Sequence, residues 1–279
     1  MSIREKALLG HLRISMWTGR KLDRDISEEV ASNHSASSKA GRYNKHLLPN
    51  CKELDRIQQL SVSARNWFYS QTVPWTIGGV QLIPSRRFSD IYEELNNRAA
   101  EFNAAVDDFL AGYNKHVEEA KVALGGLFRE EDYPTPERLR TKFAFSTAFY
   151  PVPEADFRVS VSEEEKAALK EQLEASIRDA EAQAMKAVWQ RVYDTLAHVA
   201  RQLREGKRFH ASMFANIASL ANILPDLNIS DDPKLTELTD ELRNSLVGVN
   251  VEHVRSDDSF RRDTAAQAQR IADKVSAYL

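Results

Sequence analysis

SDIYEELNNRAAEFNAAVDDFLAGYNKHVEEAKVAL, Ser89 to Leu124, is the stretch on which the fold turns. Its apolar or small residues recur at Ile91, Leu95, Ala99, Phe102, Val106, Phe109, Leu110, Tyr113, Val117, Ala120 and Leu124. The steps are mostly three or four, which places these side chains on one face of a helix. Ser89 can cap the start, and Gly125-Gly126 ends the pattern. About 36 residues at about 1.5 Å each span about 54 Å. Such a length suits one arm of a hairpin or coiled coil better than a helix in a small core.

A second stretch matches it. Ser162 followed by Glu163, Glu164 and Glu165 is a capping box with acids in the first turn. The helix it starts should run to about Leu203 or Glu205, closed by Gly206. Its apolar face includes Leu169, Leu173, Ile177, Ala180, Ala184, Val188, Val192, Leu196, Val199 and Leu203. The two helices read as an antiparallel pair in which residue i lies near residue roughly 290 − i, without strict heptads. Between them, Phe128 to Val161 is broken by Pro134, Pro136, Pro151 and Pro153. Thr135 can cap a short helix beginning at Pro136. Alternation at Phe143 and Phe145, and again at Phe157, Val159 and Val161, suggests short strands in a compact tip.

Working outward, Ile3 to Met16 reads as a short helix, or a helix passing into a strand, and Ala31 to Gly41 as a polar loop. Cys51 to Gln71 is amphipathic, with Leu54, Ile57, Leu60, Ala64, Trp67 and Phe68 largely on one face. Thr72 to Ile77 and Val80 to Ile83 flank Gly78-Gly79, a hairpin signal, and Pro74 and Pro84 place both arms at edges or in short strands. Phe209–Leu224, Pro233–Val247 and Asp257–Tyr278 read as three further helices, with a brief strand at Val249, Val251 and Val254. The fold class is therefore mainly α: an elongated antiparallel long-helix pair, a small β-hairpin and a helical carboxy-terminal bundle. Three regions follow along the chain: 1–88, basic; 89–205, the long-helix hairpin with an aromatic and proline-rich tip; and 206–279, helical.

The charge is uneven. Residues 1–87 carry 14 Lys and Arg against 7 Asp and Glu, whereas residues 88–279 carry 24 against 34. Such polarity can steer an acidic partner or let copies associate. One cysteine, Cys51, excludes an internal disulfide and a cysteine-rich zinc site. No secretory signal and no membrane-length apolar run is visible, so a cytoplasmic location is expected.

The chemistry is narrowed mostly by what is missing. Gly78-Gly79 and Gly125-Gly126 lack the phosphate-loop pattern and its lysine, so nucleotide hydrolysis is not expected. None of the seven histidines forms HxxxH or HExxH. His116 precedes Glu119 by three, but a metal site needs three or four convergent groups, and no metal or cofactor is assigned. His46 and Cys51 form a nominal base–nucleophile pair without a third partner. Paired acids such as Asp231-Asp232 read as helix caps.

Two surfaces remain. Lys39, Arg42, Tyr43, Lys45, Lys52, Arg56 and Arg65, extended by Arg86 and Arg87, could neutralise phosphates while Tyr43 stacks on a base. Phe143, Phe145, Phe149 and Tyr150 could meet a protein partner, with core packing as the plainer alternative.

MWTGRK, Met16 to Lys21, and GRYNKHLLP, Gly41 to Pro49, together with the two charged helical arms, resemble an uncharacterised bacterial and bacteriophage family. Members are often encoded near MoxR-like ATPases and von Willebrand factor A-like proteins. The resemblance implies an assembly associated with an AAA+ ATPase and carries no residue-level role. The sequence thus predicts a non-enzymatic, homo-oligomeric scaffold or adaptor. The alternative is a nucleic-acid binder using the basic region.

Overall fold

Ser162 caps the longest helix of the protein. In the computed structural model, which describes residues 2–75, 78–156, 162–206 and 209–279, its hydroxyl accepts from the Glu165 N–H, and the Glu165 carboxylate accepts from the Ser162 N–H. Thr135 caps its short helix in the same way, accepting from Arg138 N–H. These two start signals are met where the sequence places them, whereas Ser89 lies inside its helix, which begins at Phe88, and does not cap it.

Along the chain, a one-turn helix α1 (Ile3–Lys6) passes straight into strand β1 (Ala7–Ser15). Strand β2 (Arg20–Asp23), helix α2 (Arg24–Asn33), strand β3 (Tyr43–His46) and helix α3 (Lys52–Gln71) follow. Strands β4 (Val73–Pro74) and β5 (Val80–Pro84) lead into helix α4 (Phe88–Leu124). Helix α5 (Pro136–Arg140) precedes strand β6 (Ala144–Pro151). The remainder is helical: α6 (Glu163–Arg204), α7 (Ser212–Leu227), α8 (Pro233–Ser245), α9 (Val251–Ser256) and α10 (Asp258–Ser276). One sheet has the order β4-β5-β1-β6, and β2 and β3 form a separate ribbon. The fold is mainly helical, as the periodicity predicts.

The chain divides into two compact units, each discontinuous in sequence. The first comprises Met1–His11, Phe68–Tyr92 and Ala148–Leu279; the second comprises Leu12–Trp67 and Glu93–Thr147. In the first unit, α6 buries Ile177, Ala180, Ala184, Val188, Val192, Leu196, Val199 and Leu203. Its partner is α10, which buries Ala265, Ala268, Ile271, Ala272 and Val275. Alanines on both faces let the backbones approach closely. Trp189 stacks on Tyr278 at 4.5 Å, and Arg204 bonds Gln269, so the two helices run antiparallel. The Arg191 guanidinium donates to the carbonyls of Tyr69, Ser70 and Thr72 at 3.0, 3.1 and 2.8 Å, closing the carboxy-terminal end of α3 with a cation.

In the second unit, the apolar face of α4 carries Phe102, Phe109 and Tyr113. Trp17 lies 6.4 Å from Phe109 and edge-on to Tyr113 at 6.3 Å. Arg98 lies over Trp67 at 4.9 Å and pairs with Glu94 at 2.8 Å.

The antiparallel long-helix pair of the first unit is α6 with α10. The apolar face of α4 finds aromatic partners within the second unit, and the Ala/Val stripe of α6 matches the alanine-rich α10. Strand β5 is interior, between β4 and β1, and not at an edge; Pro84 is tolerated because it is the last residue of the ladder, opposite Ala7. Val251 and Val254 are helical in α9, because the Asn250 side chain caps it by accepting from His253 N–H. The hairpin signal is met by Val73↔Leu82 and Pro74↔Gln81, with Gly79 at φ +80°. Its Thr76 and Ile77, and the alternation at Phe157, Val159 and Val161, lie outside the described residues.

Candidate functional site

The β2–β3 ribbon sets Lys21 directly opposite Lys45. Like charges in that relation repel, and an anion resolves the conflict. The Asp132 carboxylate accepts from Lys21 through one oxygen and from Lys45, at 2.6 Å, through the other. Lys45 also donates to the Leu127 carbonyl at 2.8 Å and lies 3.4 Å from Asp23. Its side chain is only 3% exposed. Burial pushes its ammonium down, but Asp132 and Asp23 outweigh burial and the pKa is raised. For Asp132, burial is outweighed by Lys21 and Lys45, and the pKa is lowered. The backbone N–H of Ile26 holds Asp23 low, with Lys45 adding to it. An open cleft of about 500 Å³ borders this cluster and is lined by Arg24, Asp25 and Arg129 as well. Arg129 pairs with Asp25 at 2.6 Å, so the cleft is mixed in charge.

The predicted basic residues take different positions. Lys39, Arg42 and Lys52 are exposed in the second unit, with Tyr43 at 38% exposure on β3. Arg56 reaches Glu101 at 3.9 Å. Arg65 is half-buried and donates to Ser61 Oγ and the Ile14 carbonyl. Arg86 and Arg87 belong to the first unit and approach Asp226 at 4.0 and 3.8 Å. The sequence joined eight residues by charge, with Tyr43 beside them; of the eight, Lys39, Arg42 and Lys52 are the three whose side chains are exposed and have no ion-pair partner among the described residues.

The aromatic residues fall on β6 and just before it. Phe143 meets Phe109 edge-on at 5.9 Å, and Phe145 lies 5.8 Å from Phe102. Phe149 meets Phe88 edge-on at 5.2 Å and Tyr92 at 5.8 Å. All three are half-buried, whereas Tyr150 is 53% exposed and Tyr92 47%. Among the described residues, strand β6 is an outer strand of its sheet, and its eight residues, AFSTAFYP, carry no charge.

A third group was not legible in the sequence. Cys51 Sγ lies 3.7 Å from Glu53 Oε2, and His116 Nε2 lies 3.5 Å from the same oxygen. All three ligand atoms fall within 4.8 Å of one another. Burial pushes the Cys51 thiol up, and the Glu53 carboxylate is held down first by its own backbone N–H. Cys51 and Glu53 flank the start of α3, while His116 comes from α4; only packing brings them together. The His116–Glu119 spacing was the one visible trace of it. The nominal pair of Cys51 with His46 is not among the described contacts; the Cys51 thiol meets Glu53.

Residues 5–246 match the family described as "Protein of unknown function (DUF3150)". No curated protein and no solved structure matches the chain. No helix among the described residues is long and apolar enough to cross a membrane.

Proposed function

The chain belongs to the DUF3150 family of proteins of unknown function, and from that premise we propose that it is a non-enzymatic, homo-oligomeric scaffold or adaptor in the cytoplasm of a bacterial host. The observation that carries this reading is the outer edge of β6. Outer strands are usually blunted by charge, because their unpaired N–H and C=O groups template further strands. This one has eight uncharged residues and a proline only at its end. A second copy of β6 is the occupant it suits. Two uncharged strands related by a two-fold axis pair without like-charge repulsion, and the contact is self-complementary. Exposed Tyr92 and Tyr150 add aromatic area of the kind enriched at interfaces. The resemblance to a family encoded near MoxR-like ATPases supports an AAA+ ATPase as the further partner of such an assembly.

A second reading rests on Lys39, Arg42 and Lys52, which leave a cationic surface available to nucleic acid. Solution mass measured across protein concentration and salt separates the two. The scaffold reading predicts a dimer or larger species that persists in high salt, since strand pairing is not ionic. A monomer at every concentration contradicts it. Binding to DNA or RNA that weakens steeply over the same salt series would favour the second reading.

A further inference from the structure

We propose that Cys51, Glu53 and His116 form a binding site for one zinc-type divalent cation. The site is independent of the assembly reading above. With Zn–S about 2.3 Å, Zn–N about 2.0 Å and Zn–O about 2.1 Å, a tetrahedral site separates sulfur from oxygen by about 3.6 Å and nitrogen from oxygen by about 3.4 Å. The corresponding separations are 3.7 Å for Cys51 Sγ to Glu53 Oε2 and 3.5 Å for His116 Nε2 to Glu53 Oε2. Two edges of the polyhedron are therefore already at coordinating length.

The surroundings are arranged for a ligand histidine. The His116 ring stacks on Phe109 at 6.0 Å with an interplanar angle of 11°. Its other nitrogen, Nδ1, lies 3.7 Å from the Glu119 carboxylate, longer than a hydrogen bond, so Phe109 is what orients the ring. Gly112 lies one turn before His116 in α4, and a Cβ there would come within 3.0 Å of Nε2. Glycine thus leaves open the space beside the coordinating nitrogen. The His116 side chain is 10% exposed and Cys51 is buried, whereas Glu53 opens to solvent. That leaves a fourth position on the Glu53 side for water or another ligand. The donor set of one thiolate, one imidazole and one carboxylate suits zinc over magnesium or calcium, which take oxygen ligands. On binding, the Cys51 thiol releases its proton to solvent, and thiolate and carboxylate together balance the charge of the cation.

The test uses the full chain titrated with Co2+ and then with Zn2+ in competition. Cys51 is the only cysteine, so a thiolate-to-cobalt charge-transfer band reports this site alone. The expected result is a band that saturates at one equivalent, is displaced by Zn2+ and is absent in Cys51→Ser. Glu53→Gln and His116→Ala should each weaken Co2+ binding about tenfold or more. Glu53 is exposed, so Glu53→Gln keeps the fold even where His116→Ala does not. No band in the wild-type chain, or a band of unchanged affinity in Glu53→Gln, overturns the proposal.

Discussion

Lys45 shows how a charge read as surface becomes part of an interior. Its ammonium lies between Asp132 and Asp23, and neither side chain of the Lys45–Asp132 pair is more than 3% exposed. Removing one member of a buried pair leaves its partner desolvated and unpaired. Lys45→Met should therefore cost about 3–5 kcal/mol in chemical denaturation, with the loss centred on the β2–β3 ribbon. The same cluster predicts the acid response. The folded pKa values of Asp23 and Asp132 lie below the ordinary 3.8. Their stabilisation is complete above that value and is lost as pH falls through the depressed folded values. Unfolding midpoints measured down the acid range should fall there, and the fall should shrink in Lys45→Met. The basic character of this stretch was legible from composition, but the burial of Lys45 was not. Asp132 lies far along the chain, and only the ribbon register places it between two lysines. The cation-site triad was hidden for the same reason.

At the scale of elements, signals carried within a few residues were legible. Ser162 and Thr135 cap where their sequence context says they should. Helices α4 and α6 were found from spacing alone. What spacing could not supply was the partner: an apolar stripe states that a helix is buried, not against what. Two Ala-rich faces, on α6 and α10, settle it by fit. Strand β1 carries a comparable constraint at Gly10. A Cβ there would stand 2.3 Å from Ile83 Cδ1, and Ile83 is fully buried. Gly10→Ala should cost about 1–3 kcal/mol by overpacking. Adding Ile83→Val should recover part of that loss, and a double-mutant cycle by denaturant unfolding measures the coupling.

For the molecule as a whole, the charge contrast between the first third and the rest is real in the sequence, yet much of it is answered within each unit. Arg86 and Arg87 face Asp226, and Arg129 faces Asp25. The proposed association therefore rests less on electrostatic attraction than on the uncharged outer strand β6, whose position could not be read from alternation alone. The most direct test is solution mass for the wild-type chain beside Ser146→Lys, with circular dichroism as the fold control. Ser146 is exposed near the middle of β6, so paired copies would bring two lysines together across the two-fold axis. The wild-type chain should associate, and Ser146→Lys should be a folded monomer at the same concentration. Equal association in both would overturn the pairing of β6 between copies.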